Sequence, residues 1–520
     1  VFDLRGRLVA QADHMPIHIG SLLWGVRAVL ERYPLPRIAE GDAFVMNDPY
    51  LAGGTHLPDI SVITPVFVAG GLRYFIGNIA HHADVGGPVP GSVSGASPTI
   101  FSEGIRLPPI RIARAGVPDD DLINLIAQNT REPTERVLDL HNQIGANARG
   151  AALIAAVVRD HGADALDGAV NAIIDHAAAC VRAAVAALPD GIWRATRYLD
   201  DDGTGSDPVP LCVAAHIVGD RLTLDFSGTG PQARGAVNLS ASSLEATVGY
   251  CIKALLGPGI PANSGLIDAV AIKAPAGSVV NPNPPGAVAA RAVTSNRLAG
   301  AIFDAIGQAL PMARRMAASN DSTSLVVLAG RNPERGATYV YPESTGGGGG
   351  AFLDRDGADA IHVHTVNSTN LPVEVLETEY PLLCTRYALV PDSGGAGARR
   401  GGLGIARDIR ALVDGTSLTV RSDGHLFPAP GVLGGMPGSM TRIRHVTPEG
   451  ETELAPKCTL TLAAGEGVII ETLGGGGFGA PADRADADIV ADLLDGRVTR
   501  AAAIRDYGHD RIAKLAPGGD

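Results

Sequence analysis

Glycine governs what this chain can fold into. Its 66 glycines and 36 prolines, spread over 520 residues, form neither a linker of low complexity nor a repeat of fixed period. They separate short hydrophobic segments, a pattern that predicts many tight turns and many short strands. Two runs stand apart, Gly346 to Gly350 and Gly474 to Gly477. Neither precedes the Lys-Ser/Thr pair that a Walker loop needs to reach terminal phosphates, so close backbone approach or unusual φ is the expected role. A Gly-x-Ser-x-Gly elbow is absent from the sequence, which disfavours an ordinary serine hydrolase.

Between the glycines the periodicity changes along the chain. DAFVMNDPY, DISVITPVFVAG and LRYFIGNIA read as buried strands separated by Gly-rich turns, and VFDLRGRLVAQ reads as strand, turn at Asp3 to Gly6, and strand. From about Asp119 to Leu188 the pattern is helical. Leu122, Ile123, Leu125 and Ile126 follow i, i+3, i+4 spacing, an Ala-rich stretch continues it, and Gly162 is placed to stop one helix before the next. Strands return after Pro189, with helices expected at about Ser242 to Leu256 and Ser295 to Leu310. The segment from Tyr339 to Leu473 is mainly β, and Ala482 to Asp506 is a helical tail. The fold class is therefore mixed α and β (α+β) and multi-domain, because a chain of this length exceeds one ordinary core. The expected division is 1–115 (β-rich, with a metal site), 116–190 (helical), 191–330 (mixed) and 331–520 (Gly-rich β with a helical tail).

Charge and cysteine usage narrow the class of partner. With 42 Lys+Arg against 55 Asp+Glu the net charge is −13, and the basic residues are scattered. That excludes an evident nucleic-acid surface. Cys180, Cys212, Cys251, Cys384 and Cys458 make no CxxC pair, which fits buried thiols in a reducing compartment, so a cytoplasmic location is expected. No uninterrupted apolar run reaches spanning length; the most apolar, around Ala151 to Val158, is broken by Arg159, Asp160 and His161. No membrane partner is expected. The chain opens on Val1 rather than Met, and an upstream segment is expected to have been lost.

The densest chemical signal lies between Asp48 and Asp84. NDPYLAGGTHLPD puts His56 and Asp59 three apart in a loop opened by Gly53 and Gly54, and IGNIAHHADVGG puts His81, His82 and Asp84 at the end of an apolar strand. Two strands ending side by side would bring these groups together. Two imidazoles and one carboxylate suit a borderline divalent metal and leave open positions for substrate. The remaining carboxylates could orient a histidine or move protons. A lone histidine at a strand end is usually structural, but three histidines and three carboxylates among glycines favour metal binding or acid–base work. Weaker signals are Arg291, Ser295 and Arg297, read mainly as a surface arginine pair beside an ordinary helix cap, although two guanidinium groups there would also suit an anion. His362 and His364 read as structural residues on one face of a strand, since no carboxylate stands close in sequence.

GDAFVMNDPYLAGGTHLPD followed by NIAHHADVGG closely resembles the N-terminal signature of the hydantoinase B/5-oxoprolinase family. The likeness continues in SEGIRLPPIRI, DFSGTGPQARGAVN, NPNPPGAVAAR, ESTGGGGG, LPVEVLETEYPLL, DSGGAGARRGGLG and TLGGGGFGAP, in order along nearly the whole chain. The resemblance implies a metal-containing B-type subunit of an ATP-dependent hydrolase of cyclic amides, such as a hydantoinase, 5-oxoprolinase or lactamase. An A-type partner subunit would bind ATP and Mg and phosphorylate the substrate. It implies a divalent ion, Zn or Mn, held by His56, Asp59 and His81, with His82 and Asp84 as catalytic neighbours. The alternatives are a subunit of an ATP-dependent ketone carboxylase of the acetone/acetophenone type, or a non-catalytic scaffold for the A-type subunit.

Overall fold

A computed structural model of the protein describes residues 1–12, 14–205, 207–322 and 324–516. Eleven α-helices and four mostly antiparallel sheets are found among the described residues.

The first sheet contains β1 (Ala43–Met46), β2 (Asp59–Val68), β3 (Gly71–His81), β4 (Ile110–Arg114) and β5 (Val117–Pro118), in the order β3-β2-β1-β4-β5. Strand β2 is buried for eight residues running, which alternation alone would not give. Both its faces are covered. Ile63 packs with Phe44, Met46 and Phe75 against α1 (Leu22–Arg32), whereas Ile60 and Val62 face Leu140 and the helices on the other side. Those helices are α2 (Asp120–Gln128) and α3 (Pro133–His161), followed by α4 (Ala163–Ala186). Asp119 caps α2 by accepting from the Leu122 amide, Pro133 opens α3, and Gly162, at φ +84°, separates α3 from α4. By length and composition α4 is apolar enough to cross a membrane, which the broken-run reading of the sequence overlooked. Here it turns Ile174, Val181 and Val185 inward and leaves Ile173 exposed.

Strands β6 (Gly191–Leu199), β7 (Val209–Val218), β8 (Arg221–Asp225) and β9 (Val270–Lys273) form the second sheet in that order, with only the β8–β9 pair parallel. Leu211, Val213, Ala215 and Ile217 point to one side of β7. They join a core with α5 (Ala241–Leu256) and α7 (Arg291–Gly307), while α6 (Ser264–Asp268) packs on α4.

The third sheet, made of β10 (Ser324–Asn332), β11 (Ala337–Thr345), β14 (Thr416–Arg421) and β17 (Lys457–Leu462), has the order β11-β10-β14-β17. The fourth has the order β12-β13-β18-β15-β16, where β12 is Leu382–Leu389, β13 Ile405–Ala411, β15 Arg442–Thr447, β16 Gly450–Glu453 and β18 Gly467–Glu471. Val326, Leu328, Leu418 and Val420 of one sheet share a core with Ile409, Ile443 and Ile470 of the other and with Leu376 of α8 (Val373–Glu379). The tail is helical as the sequence predicts: α9 (Asp486–Leu494), α10 (Arg500–Tyr507) and α11 (His509–Leu515).

The glycine runs lie outside these strands and inside the protein. Gly349 donates to Ala358, Gly402 to Gly349, Gly475 to Gly402 and Gly395 to Gly475, all at 2.8–2.9 Å. A methyl group on Gly348 would land on the Gly402 carbonyl oxygen, and one on Gly475 on that of Gly349. These segments are stacked backbone on backbone, with no room for a side chain between them. Close approach, not turn geometry, is what the runs supply.

Candidate metal centre

Cross-strand register builds the site. Asp59 opens β2, His81 closes β3, and the two residues are paired directly opposite, so their side chains share one face of the sheet. The loop before β2 delivers His56 to the same face. Asn47 holds that loop by donating to the carbonyls of Leu57 and Ile105 and accepting from the Leu107 amide at 2.7–3.0 Å. Asp48 accepts from the amides of Tyr50 and Leu51 and pairs with Arg106 at 2.7 Å. Gly53, at φ +63°, lies against Trp24 of α1 where a methyl group would collide with it.

One ligand atom from each of His56, Asp59 and His81 lies within 4.8 Å of the others. His56 and Asp59 are buried, and His81 opens onto a cavity of about 660 Å³. The His56 Nδ1 lies 3.1 Å from the Ala289 carbonyl, so that nitrogen is the donor and Nε2 keeps its lone pair. His56 Nε2, 3.3 Å from Asp59 Oδ2, and Asp59 Oδ1 are both buried without a hydrogen-bond partner. Such orphaned atoms are costly unless something binds them, and a divalent cation fits this pair.

Electrostatics prepares the donors. Burial, reinforced by the Arg291 charge, pushes His56 down to about 3; burial likewise takes His81 down to about 4. Burial alone would raise Asp59, but His56, Arg291 and His18 outweigh it and hold the carboxyl well below its usual range. Two neutral imidazoles and an ionised carboxylate are the forms a cation requires.

Three neighbours were not assigned to the site from sequence. Arg291 is buried and paired with the second oxygen of Asp59, which also accepts from the Thr55 hydroxyl. Arg421, held at 3.1 Å on the Ala289 carbonyl, is brought down to about 9 by burial and by repulsion from Arg291. His18 places its Nε2 3.8 Å from the orphaned Asp59 oxygen. All three line the cavity. The reading of Arg291 and Arg297 as a surface pair is corrected: both are buried, and Arg297 is paired with Asp423 at 2.6 Å. Ser295 is no cap either, because α7 begins at Arg291 and its hydroxyl bonds to Thr365 within the interior.

The structure does not bring His82 and Asp84 into this group. Consecutive strand residues face opposite sides, so His82 turns to α3, with Nε2 3.1 Å from the Gln143 side chain and Nδ1 3.9 Å from Asp139. Asp84 is consumed by a loop: it accepts from the amides of Gly86, Gly91 and Arg131 and pairs with the Arg131 guanidinium at 2.8 Å.

Residues 1–481 match the family model described as Hydantoinase B/oxoprolinase. The chain belongs to this family. It is 32% identical to 5-oxoprolinase PfmaA of Pestalotiopsis fici over 94% of its own length, but spans only 39% of that protein. Caprolactamase subunit beta of Pseudomonas jessenii is 31% identical, with 98% of this chain and 89% of that subunit covered. The crystal structure of the ATP-dependent caprolactamase from the same organism matches with a TM-score of 0.88 at 29% identity, over 98% of this chain and 89% of the other. A nucleotide-free acetone carboxylase structure matches with a TM-score of 0.89 at 19% identity, covering 99% and 77% of the respective chains, a likeness of fold alone.

Proposed function

We propose that this hydantoinase B/oxoprolinase chain is the metal-holding subunit of an ATP-dependent cyclic-amide hydrolase, acting on a substrate phosphorylated by an A-type partner. The observation that carries this reading is the orphaned pair His56 Nε2 and Asp59 Oδ1, facing His81 at the edge of a cavity walled by Arg291 and Arg421. The names of the relatives, a caprolactamase subunit beta and a 5-oxoprolinase, support the substrate class and a partner subunit.

His56, Asp59 and His81 would hold Zn or Mn. A bound divalent ion polarises a carbonyl-type carbon or lowers the pKa of water. The chain's own residues do the rest. The Ala289 carbonyl fixes the His56 ring, and Arg291 orients Asp59 through its second oxygen. Arg291 and Arg421, buried and cationic, attract the anionic group that phosphorylation adds to an amide oxygen. His18 offers a hydrogen bond to whatever sits beside Asp59. His82 and Asp84 are given scaffold roles, one on α3 and one in the loop after β3.

Elemental analysis should find about one divalent ion per chain, removed by His56→Ala and by His81→Ala. With the A-type partner present, His81→Ala should abolish ring opening of hydantoin, 5-oxoproline or caprolactam while some substrate-dependent ATP turnover survives. Equal product rates in wild type and variant would rule out a catalytic role for the site.

A further inference from the structure

A second histidine–carboxylate pair is buried elsewhere in the protein. His364 Nε2 lies 2.6 Å from Asp321 Oδ1, and His364 Nδ1 lies 3.4 Å from the Tyr250 hydroxyl. Asp321 and His364 are both non-glycine residues at positive φ, +44° and +56°. Strained backbone of this kind persists only where packing enforces it, and it is concentrated at working sites. Gly300, in the interior of α7, makes the room: a methyl group there would land on the Asp321 carboxylate. Glycine in mid-helix is less favourable than alanine, and it stands here where a carboxylate lies against the helix.

Donor and acceptor roles follow from the pair. His364 donates through Nε2 to the carboxylate, and in the neutral ring Nδ1 accepts from the Tyr250 hydroxyl. The Tyr250 oxygen then keeps its lone pairs for the cavity it lines, of about 480 Å³. On the other side, Asp321 is fully buried, and its Oδ2 has no hydrogen-bond partner; the nearest cation, Arg197, is 3.7 Å away and pairs with Asp304 at 2.8 Å. Asp321 and His364 line an adjoining cavity of about 120 Å³, and the two cavities meet at Phe303, Arg314 and His364. The recess thus offers two acceptors, three arginines (Arg197, Arg314 and Arg315) that each already bond a protein oxygen, and an aromatic face where Phe303 lies 5.9 Å from Tyr250 and 5.1 Å from the His364 ring.

We propose that Asp321, His364 and Tyr250 form a second small-molecule site, which takes a neutral amide or urea. Its N–H groups donate to the Asp321 and Tyr250 oxygens, its carbonyl accepts from Arg314, and its hydrocarbon part lies against Phe303. A carboxylate or phosphate is disfavoured because the two free groups are acceptors. The site is distinct from the metal centre, although the two cavities share Val366: Pro16 lines this cavity and Ile17 and His18 line the other, while the Ile17 amide is tied to the Thr365 carbonyl at 3.2 Å.

The proposal does not rest on the metal reading, and the test keeps the two apart. Hydantoin, which carries two N–H groups, is titrated by calorimetry into the full chain bearing His56→Ala, with 1,3-dimethylhydantoin as the control. Hydantoin should bind, the dimethyl compound should not, and adding Tyr250→Phe should weaken binding about fivefold, the worth of one hydrogen bond. Asp321→Asn should weaken it further. If that variant fails to fold, Tyr250→Phe decides, because it removes one oxygen and keeps the ring against Phe303. Absence of hydantoin binding, equal binding of the dimethyl compound, or unchanged affinity in Tyr250→Phe would each overturn the proposal.

Discussion

The sheet that carries His56, Asp59 and His81 and the glycine region behind the third and fourth sheets exclude water in opposite ways. In the first, side chains do it: Ile60 and Val62 on one face of β2 and Ile63 on the other reach the helices that cover them. In the second, backbone does it: Gly349, Gly402, Gly475 and Gly395 donate to one another in a chain, and no Cβ fits between them. A side-chain core absorbs small changes by rotamer shifts and partial collapse. A stack of hydrogen-bonded backbones has no flexible end to move, so its tolerance should be far lower.

The largest expected effect comes from one methyl group. Gly348→Ala should cost more than about 3 kcal/mol, beyond ordinary overpacking, because the new carbon meets the Gly402 carbonyl; the variant should melt far below wild type or fail to fold. Gly415→Ala is the counterpart. Gly415 has positive φ, +79°, but nothing within 4 Å of an added methyl, so a cost of about 1 kcal/mol is expected. Equal melting temperatures for the two variants would break the distinction.

A smaller effect separates the two faces of the β3 end. Asp84→Asn should destabilise by about 3 kcal/mol, since a buried, multiply bonded carboxylate paired with Arg131 is lost. His82→Ala should cost about 1–3 kcal/mol by unpairing Gln143. Both variants should keep their metal. Loss of metal from His82→Ala, with the fold intact by circular dichroism, would return His82 to the site.

A further effect is a slope with pH. Glu103 is buried, and although the Val288 and Ala289 amides oppose the shift, burial pushes it up to about 8 from an ordinary 4.5. A raised carboxyl pKa favours the folded state while the group is protonated. Its contribution is complete below about 4.5 and is lost as pH rises through about 8. Glu103→Gln should flatten that decline, measured as melting temperature against pH, and an unchanged slope would show that Glu103 is ionised throughout.

Local pattern made much of this legible. The hairpin of β2 and β3 was visible as two apolar runs around a Gly pair, and spacing gathered His56, Asp59, His81, His82 and Asp84 as candidates, among which the family resemblance singled out His56, Asp59 and His81. The same pattern, applied one residue further, separates His81 from His82, because a strand cannot turn neighbouring side chains to one face. His362 and His364 lie outside any strand, and the carboxylate that pairs with His364 is Asp321, 43 residues upstream, beyond the reach of local spacing.

What the sequence determined by itself is whatever repeats over a few residues: strand and helix periods, the stop at Gly162, and the donor types near the start of β2 and the end of β3. Tertiary structure alone decided which charges share a buried space. Arg291 reaches Asp59 across 232 positions, and Arg421 reaches the Ala289 carbonyl across 132. No local period encodes such pairs, because the cost of a buried charge is set by what the fold places beside it, not by its neighbours in the chain.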